Sequence, residues 1–136
     1  ATSDAERSIF LSRLVYQTFN GYAMSQFDKL RRDLETKGTM KNKHAMHLIR
    51  LLHAGIEALR TGELPVRVHE SHRAELLAIR DGQMDWEDID GLRVRLHRDF
   101  DTAFTATRLP ERPDFDRANA LLIEARREMA TREALP

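Results

Sequence analysis

Apolar residues recur along this chain at helical spacing almost from end to end. Val15, Phe19, Tyr22, Ala23, Phe27, Leu30 and Leu34 hold one face, and the phase runs through Asn20-Gly21 without a reset. That spacing predicts one long helix up to Lys37-Gly38. Ser3-Asp4-Ala5-Glu6 has the form of a capping box, in which the serine hydroxyl and glutamate carboxylate each accept from an orphan N–H of the first turn. Glycine inside a helix costs about 1 kcal/mol relative to alanine, so Gly21 predicts a break or a close backbone approach by another element. A second helix follows from Ala45, Leu48, Ile49, Leu52, Ile56 and Leu59, with Thr61-Gly62 as its stop. Leu64-Pro65-Val66-Arg67-Val68 reads as extended, too little for a sheet. Ser71 opens a short helix through Leu76, Leu77 and Ile79 that ends at Asp81-Gly82. Asp85 and Asp88 open another, which turns Trp86, Ile89, Leu92, Leu96, Phe100, Ala103 and Phe104 inward. Leu109-Pro110-Glu111-Arg112-Pro113-Asp114 is a stiff connector, and Asp114 caps a last helix holding Ala118, Leu121, Leu122, Ala125 and Met129. The expected fold is an all-α bundle of about five helices, with at most one short extended segment near residues 64–68 and antiparallel neighbours.

Length and composition narrow this further. A chain of 136 residues with 41% hydrophobic content suits one domain over 1–136, and the lack of cysteine excludes disulfides and thiolate metal sites. The 22 basic and 22 acidic residues cancel, so the whole chain offers no field to attract nucleic acid or an anionic membrane. The distribution is uneven: residues 1–60 hold ten basic and six acidic residues, and residues 61–136 hold twelve and sixteen. All four lysines, Lys29, Lys37, Lys41 and Lys43, lie close together, and no acid occurs between Glu35 and Glu57. That stretch is the one basic patch. No apolar run approaches the roughly 20 residues that span a bilayer, and no signal-peptide pattern is present. A cytoplasmic protein without a membrane partner is expected. Ala1 stands where a complete gene product has Met, and Thr2 to Glu6 read as a linker, which suggests a piece of a longer protein.

The patch also carries the candidate chemistry. Lys43, His47 and Arg50 recur at i, i+4 and i+7, on a face opposite the apolar stripe of the second helix, and Lys41 adds charge at its start. Such a face suits a phosphate clamp, with arginine as a planar fork, lysine as a point charge and helix N–H groups as donors. A solvated helix face is the competing reading. His44 with His47 and His69 with His72 form two His-x-x-His pairs, with His53 and His97 besides. No His-Glu-x-x-His accompanies them, and His44 and His47 lie about 60° apart around a helix, so no metal site is expected. Arg67 and His72 have the spacing of an Arg-x4-His nuclease pair, but Pro65, Val66 and Val68 put Arg67 in an extended segment. Asp85, Glu87, Asp88 and Asp90 are acids at a helix start, as the macrodipole favours. Tyr16, Gln17, Asn20, Tyr22 and Gln26 form a polar-aromatic band that fits either the edge of a pocket or core packing. No glycine-rich phosphate loop, nucleophile elbow or cysteine nucleophile is present, and no catalytic residue is expected in this chain.

An ordered set of motifs carries a resemblance over nearly the whole length. Phe10-Leu11-Ser12-Arg13, Val15-Tyr16-Gln17-Thr18, Asn20-Gly21-Tyr22-Ala23, Lys43-His44-Ala45-Met46-His47-Leu48-Ile49-Arg50-Leu51-Leu52, Leu59-Arg60-Thr61-Gly62-Glu63, Leu76-Leu77-Ala78-Ile79-Arg80-Asp81-Gly82 and Leu109-Pro110-Glu111-Arg112-Pro113-Asp114 follow one another. Together they resemble the C-terminal half of the RlaP or YcgL-like nucleotidyltransferases of the DNA polymerase beta superfamily, associated with RNA repair. The resemblance implies a parent enzyme with an N-terminal nucleotidyltransferase domain, which carries a Gly-Ser motif and an Asp-x-Asp pair for Mg2+, followed by a helical domain. Ser3-Asp4-Ala5-Glu6 lacks the strand and Gly-Ser motif that belong with that pair, so this chain alone is not expected to catalyse. It implies further that the helical part closes one wall of a nucleotide cleft. Lys41, Lys43, His47 and Arg50 would then face the triphosphate, and Tyr22 and Gln26 would touch base or sugar. The implied partners are a nucleoside triphosphate, an RNA end and the N-terminal domain. The alternative is a free-standing helical interaction or dimerisation module, acting as a homodimer.

Overall fold

The computed structural model describes residues 4–62 and 70–106, with side chains from Ser12 onward, and helical positions 120, 123, 124, 126 and 127. It is all-α, with four helices: α1 (Asp4–Lys37), α2 (Asn42–Thr61), α3 (Glu70–Arg80) and α4 (Trp86–Ala106). The periodicity predicts about five. The fifth, from Asp114 to Met129, falls mostly outside the described residues, as does the extended segment near 64–68. Helix α1 runs from Asp4, the first described residue, and α2 ends where Gly62 takes φ 74° and donates its N–H to Ala58 O at 2.8 Å. That left-handed geometry is open to glycine without a Cβ penalty. Helix α4 starts on Asp85, whose Oδ1 accepts the Asp88 N–H at 2.9 Å, with Glu87 and Asp88 in the first turn.

Helix α2 is the centre of the bundle and packs against α1, α3 and α4. Its buried positions run from His47 and Ala58 through Gly55, Leu48 and Leu52 to Ile49, sweeping about 200° of the helix at 100° per residue. Around it close Val15, Phe19, Ala23 and Leu30 of α1, Leu76 and Ile79 of α3, and Ile89, Leu92, Leu96 and Phe100 of α4. The tightest approach is at Gly55. A Cβ there would lie 2.7 Å from Phe100 Cε1 and 3.2 Å from Phe19 Cβ, so the missing side chain lets α1 and α4 meet the same turn of α2. Gly21 is different. Helix α1 runs unbroken through it, and nothing among the described residues lies within 4 Å of a Cβ built there. The periodic apolar face that spans it outweighs the local cost of glycine.

Two aromatic groups join α1 to α4. Tyr16 stacks on Phe100 with ring centroids 4.6 Å apart and meets the edge of Phe104 at 4.4 Å. Phe27 stacks on Trp86 at 6.0 Å, with the Arg93 guanidinium 4.0 Å above the Phe27 ring and bound to Asp90 at 2.8 Å. The Tyr16 hydroxyl donates to Asp101, and burial, reinforced by that carboxylate, pushes its pKa up to about 12.

Two predictions test this packing. Gly55→Ala gains about 1 kcal/mol of helix propensity but must displace the fully buried Phe100 ring, and overpacking of that kind costs about 1–3 kcal/mol. Urea denaturation is expected to show a net loss for Gly55→Ala and a gain of about 0.5–1 kcal/mol for Gly21→Ala; the opposite order would place the tight contact wrongly. Tyr16 holds its proton more firmly folded than unfolded, so its contribution is complete below pH 10 and is lost as pH rises toward 12. Tyr16→Phe should flatten that alkaline decline in melting temperature, and an unchanged decline would assign it to other groups.

Candidate functional site

The start of α2 is electrostatically unlike the start of α4. Its cap residue, Lys41, is extended (φ −85°, ψ 117°) and makes no side-chain capping bond, and the first turn holds no acid. The Lys41 carbonyl accepts the N–H groups of His44 and Ala45 at 3.0 and 3.2 Å. The positive end of the macrodipole is therefore surrounded by further positive charge, where about half a unit of positive charge already resides.

Helix α1 adds to it. The His44 imidazole is held below its ordinary pKa, first by desolvation and then by the nearby charges of Lys41, Lys29 and Lys43, with Asp33 as the opposing influence. Its Nδ1 is buried and has no hydrogen-bond partner among the described residues. Asp33 is itself engaged with Lys37 at 3.6 Å, and Asp28 and Glu35 lie within 3.6 and 3.9 Å of Arg31. The result is a corner between the last third of α1 and the first turn of α2. Three lysines there lie near enough to one half-buried imidazole to disfavour its charged form. A compact polyanion is what such a corner complements: it supplies the negative charge that the helix start lacks, and it can accept from backbone N–H and ammonium groups at once.

The residues singled out in the sequence are distributed unevenly over this corner. Lys41 is exposed at its centre, and Lys43 and Arg50 are half-buried on one side of α2, two turns or about 10 Å apart along the axis. His47 does not share their outward face. It is only 4% exposed, because α2 has neighbours on several sides and its buried sector extends beyond the apolar stripe. Gln26 is likewise inside, 1% exposed in the buried face of α1 between Ala23 and Leu30, with Oε1 unpartnered among the described residues. Tyr22 is half-buried against the core. Arg67 and His69 lie outside the described residues, and with them the Arg-x4-His and second His-x-x-His readings. The grouping of all four lysines in one stretch already points to Lys29, and the α1–α2 packing brings it to the corner, whereas sequence spacing does not mark His44 as its buried member.

No helix among the described residues is long and apolar enough to cross a membrane. Comparison with curated proteins and with solved structures gave no match. The family model described as RNA repair pathway DNA polymerase beta family, RlaP, matches residues 1–124. The ordered motifs, the all-α bundle and a match over that length agree, and this chain belongs to the RlaP family.

Proposed function

We propose that this bundle is the helical substrate-binding part of a DNA polymerase beta-type nucleotidyltransferase, and that its α1–α2 corner receives the triphosphate of a nucleoside triphosphate. The observation that carries this reading is the first turn of α2: no acid, no side-chain cap, and Lys29, Lys41 and Lys43 close enough to shift His44. A bound triphosphate would face the Lys41 and Lys43 side chains at the first turn of α2, with Arg50 two turns further along the same helix. His47 and Gln26, both buried, support the helix faces from inside. Tyr22 is the candidate for contact with base or sugar. Family membership supports the wider setting, in which a nucleotidyltransferase domain provides the reacting centre and RNA is the acceptor.

The Mg2+ that such chemistry uses does not fit the donors found here. Mg2+ takes oxygen ligands, whereas the gathered donor set among the described residues is His53, His72 and Glu75, with two imidazole nitrogens. Mg2+ belongs, on this reading, to the catalytic domain.

Calorimetric titration with a nucleoside triphosphate, on the protein carrying its nucleotidyltransferase domain, tests the assignment. Each of Lys41→Ala, Lys43→Ala and Arg50→Ala is expected to weaken binding by about threefold to tenfold, consistent with roughly 1 kcal/mol for a partly screened charged hydrogen bond. Unchanged affinity in all three would remove the corner from the nucleotide site.

Acidification gives a second test. His44 is more easily protonated unfolded than folded, so its contribution to stability is present above about pH 6.5 and is lost as pH falls through its lowered value. Melting temperature should fall from pH 7 toward pH 5, and less so in His44→Gln. An anion bound beside His44 favours the imidazolium, so saturating inorganic triphosphate should raise the midpoint of the His44 ring resonances. A midpoint that stays fixed while the anion binds would put the anion elsewhere.

A further inference from the structure

A second cluster of titratable groups lies where α2 meets α3, away from the basic corner. His53 projects from α2, and His72 and Glu75 project from α3 at i, i+3, so the latter two share one helix face. The His53 and His72 rings are stacked, with centroids 3.7 Å apart and planes within 20° of parallel. His53 Nε2 and Glu75 Oε1 are 3.0 Å apart. Taken together, one ring nitrogen from each histidine and one Glu75 oxygen all lie within 4.8 Å of one another.

We propose that His53, His72 and Glu75 bind one divalent transition-metal ion of the zinc class, which pins α3 to α2. The donor chemistry selects the ion: two imidazole nitrogens and a carboxylate oxygen suit zinc, cobalt or nickel, while magnesium and calcium take oxygen alone. Distance supports it. Bonds of about 2.0–2.2 Å to a tetrahedral ion put neighbouring donors about 3.3–3.5 Å apart. The three donors are within about 1.5 Å of that arrangement, and to reach it the two rings turn out of their stack, so that both lone pairs, which lie in the ring planes, point at one ion. Charge supports it as well: Glu75 supplies negative charge toward a dication, beside the two imidazole nitrogens.

The surroundings leave the site reachable. His53 and Glu75 side chains are 15% and 30% exposed, so neither ligand is sealed in the core. A groove of about 360 Å³ is lined by His53 and His72, together with Ser71, Arg60 and Asp99, with space for the water that completes a four-coordinate ion. Among the described residues α3 is held chiefly by α2, with Leu76 and Ile79 as its buried anchors. A metal clamp at its first two turns therefore joins the helix to its main neighbour. Spacing along the chain pairs His44 with His47 and His69 with His72 and so hides this set, because His53 and His72 come together only through packing of two helices.

Cobalt(II) is the probe, added to the metal-stripped chain. One equivalent is expected to bind, to give the intense visible absorption of a tetrahedral ion with nitrogen and oxygen ligands, and to raise the melting temperature. Glu75→Gln, nearly isosteric, and His72→Ala should each weaken binding at least tenfold, with far-UV circular dichroism confirming that both stay helical. Lys41→Ala and Lys43→Ala should leave cobalt binding unchanged, which separates this site from the nucleotide corner. Absence of the absorption band, or equal binding by the helical Glu75→Gln and His72→Ala variants, would overturn the proposal.

Discussion

Helices α1 and α4 converge on one turn of α2, and a residue with no side chain makes that convergence possible. At Gly55 the Phe100 ring of α4 and the Phe19 Cβ of α1 occupy the space in which any other residue would place its own Cβ. Much of the remaining architecture depends on that contact. It brings α1 and α4 close enough for Tyr16 to pack against both Phe100 and Phe104, and it leaves α2 covered over more than half of its circumference. The cost of glycine in a helix interior is thereby offset by packing of aromatic rings that bury large areas.

A central helix has few exposed positions, and its ends become the places where chemistry can be presented. The C-terminal end of α2 is closed by Gly62, whose N–H bonds back to Ala58. Its N-terminal end is open and electropositive, flanked by Lys41 and Lys43 and approached by Lys29 from α1. Burial and charge act together there. His44 is pressed toward its neutral form by both, so the corner gathers positive charge without placing a fourth cation in the middle. A bundle that holds its central helix rigidly also fixes the direction of that helix end, which is what a binding surface for a multiply charged anion requires.

Periodicity makes the helices legible because each of them buries one face, and the stop signals are equally plain: Gly38, Gly62 and Gly82 all take φ of 74° at helix ends. Asp85 is readable as a cap for the same local reason. Spacing alone does not convey how many neighbours α2 has. A helix with one packed face would leave His47 outside with Lys43 and Arg50, whereas a helix packed on several sides takes it in. For Gln26 the sequence leaves the edge of a pocket and core packing both open, since a polar residue at a core position of α1 looks, in one dimension, like a residue available to a ligand, and its burial favours the second. Glu75 belongs to its cluster through contacts between helices, and no local pattern announces it. At Gly21 the long helix read from the periodicity holds: a residue that breaks helices in isolation is carried through by the apolar face on both sides of it.

The open start of α2 is the feature on which the functional reading rests, and its occupancy can be observed residue by residue. Amide resonances of the isotopically labelled chain, recorded during addition of inorganic triphosphate, should move first and furthest at Asn42, Lys43 and His44, with smaller changes near Lys29 and little at α3. Displacements centred on another part of the bundle, or none as triphosphate is raised, would contradict the account.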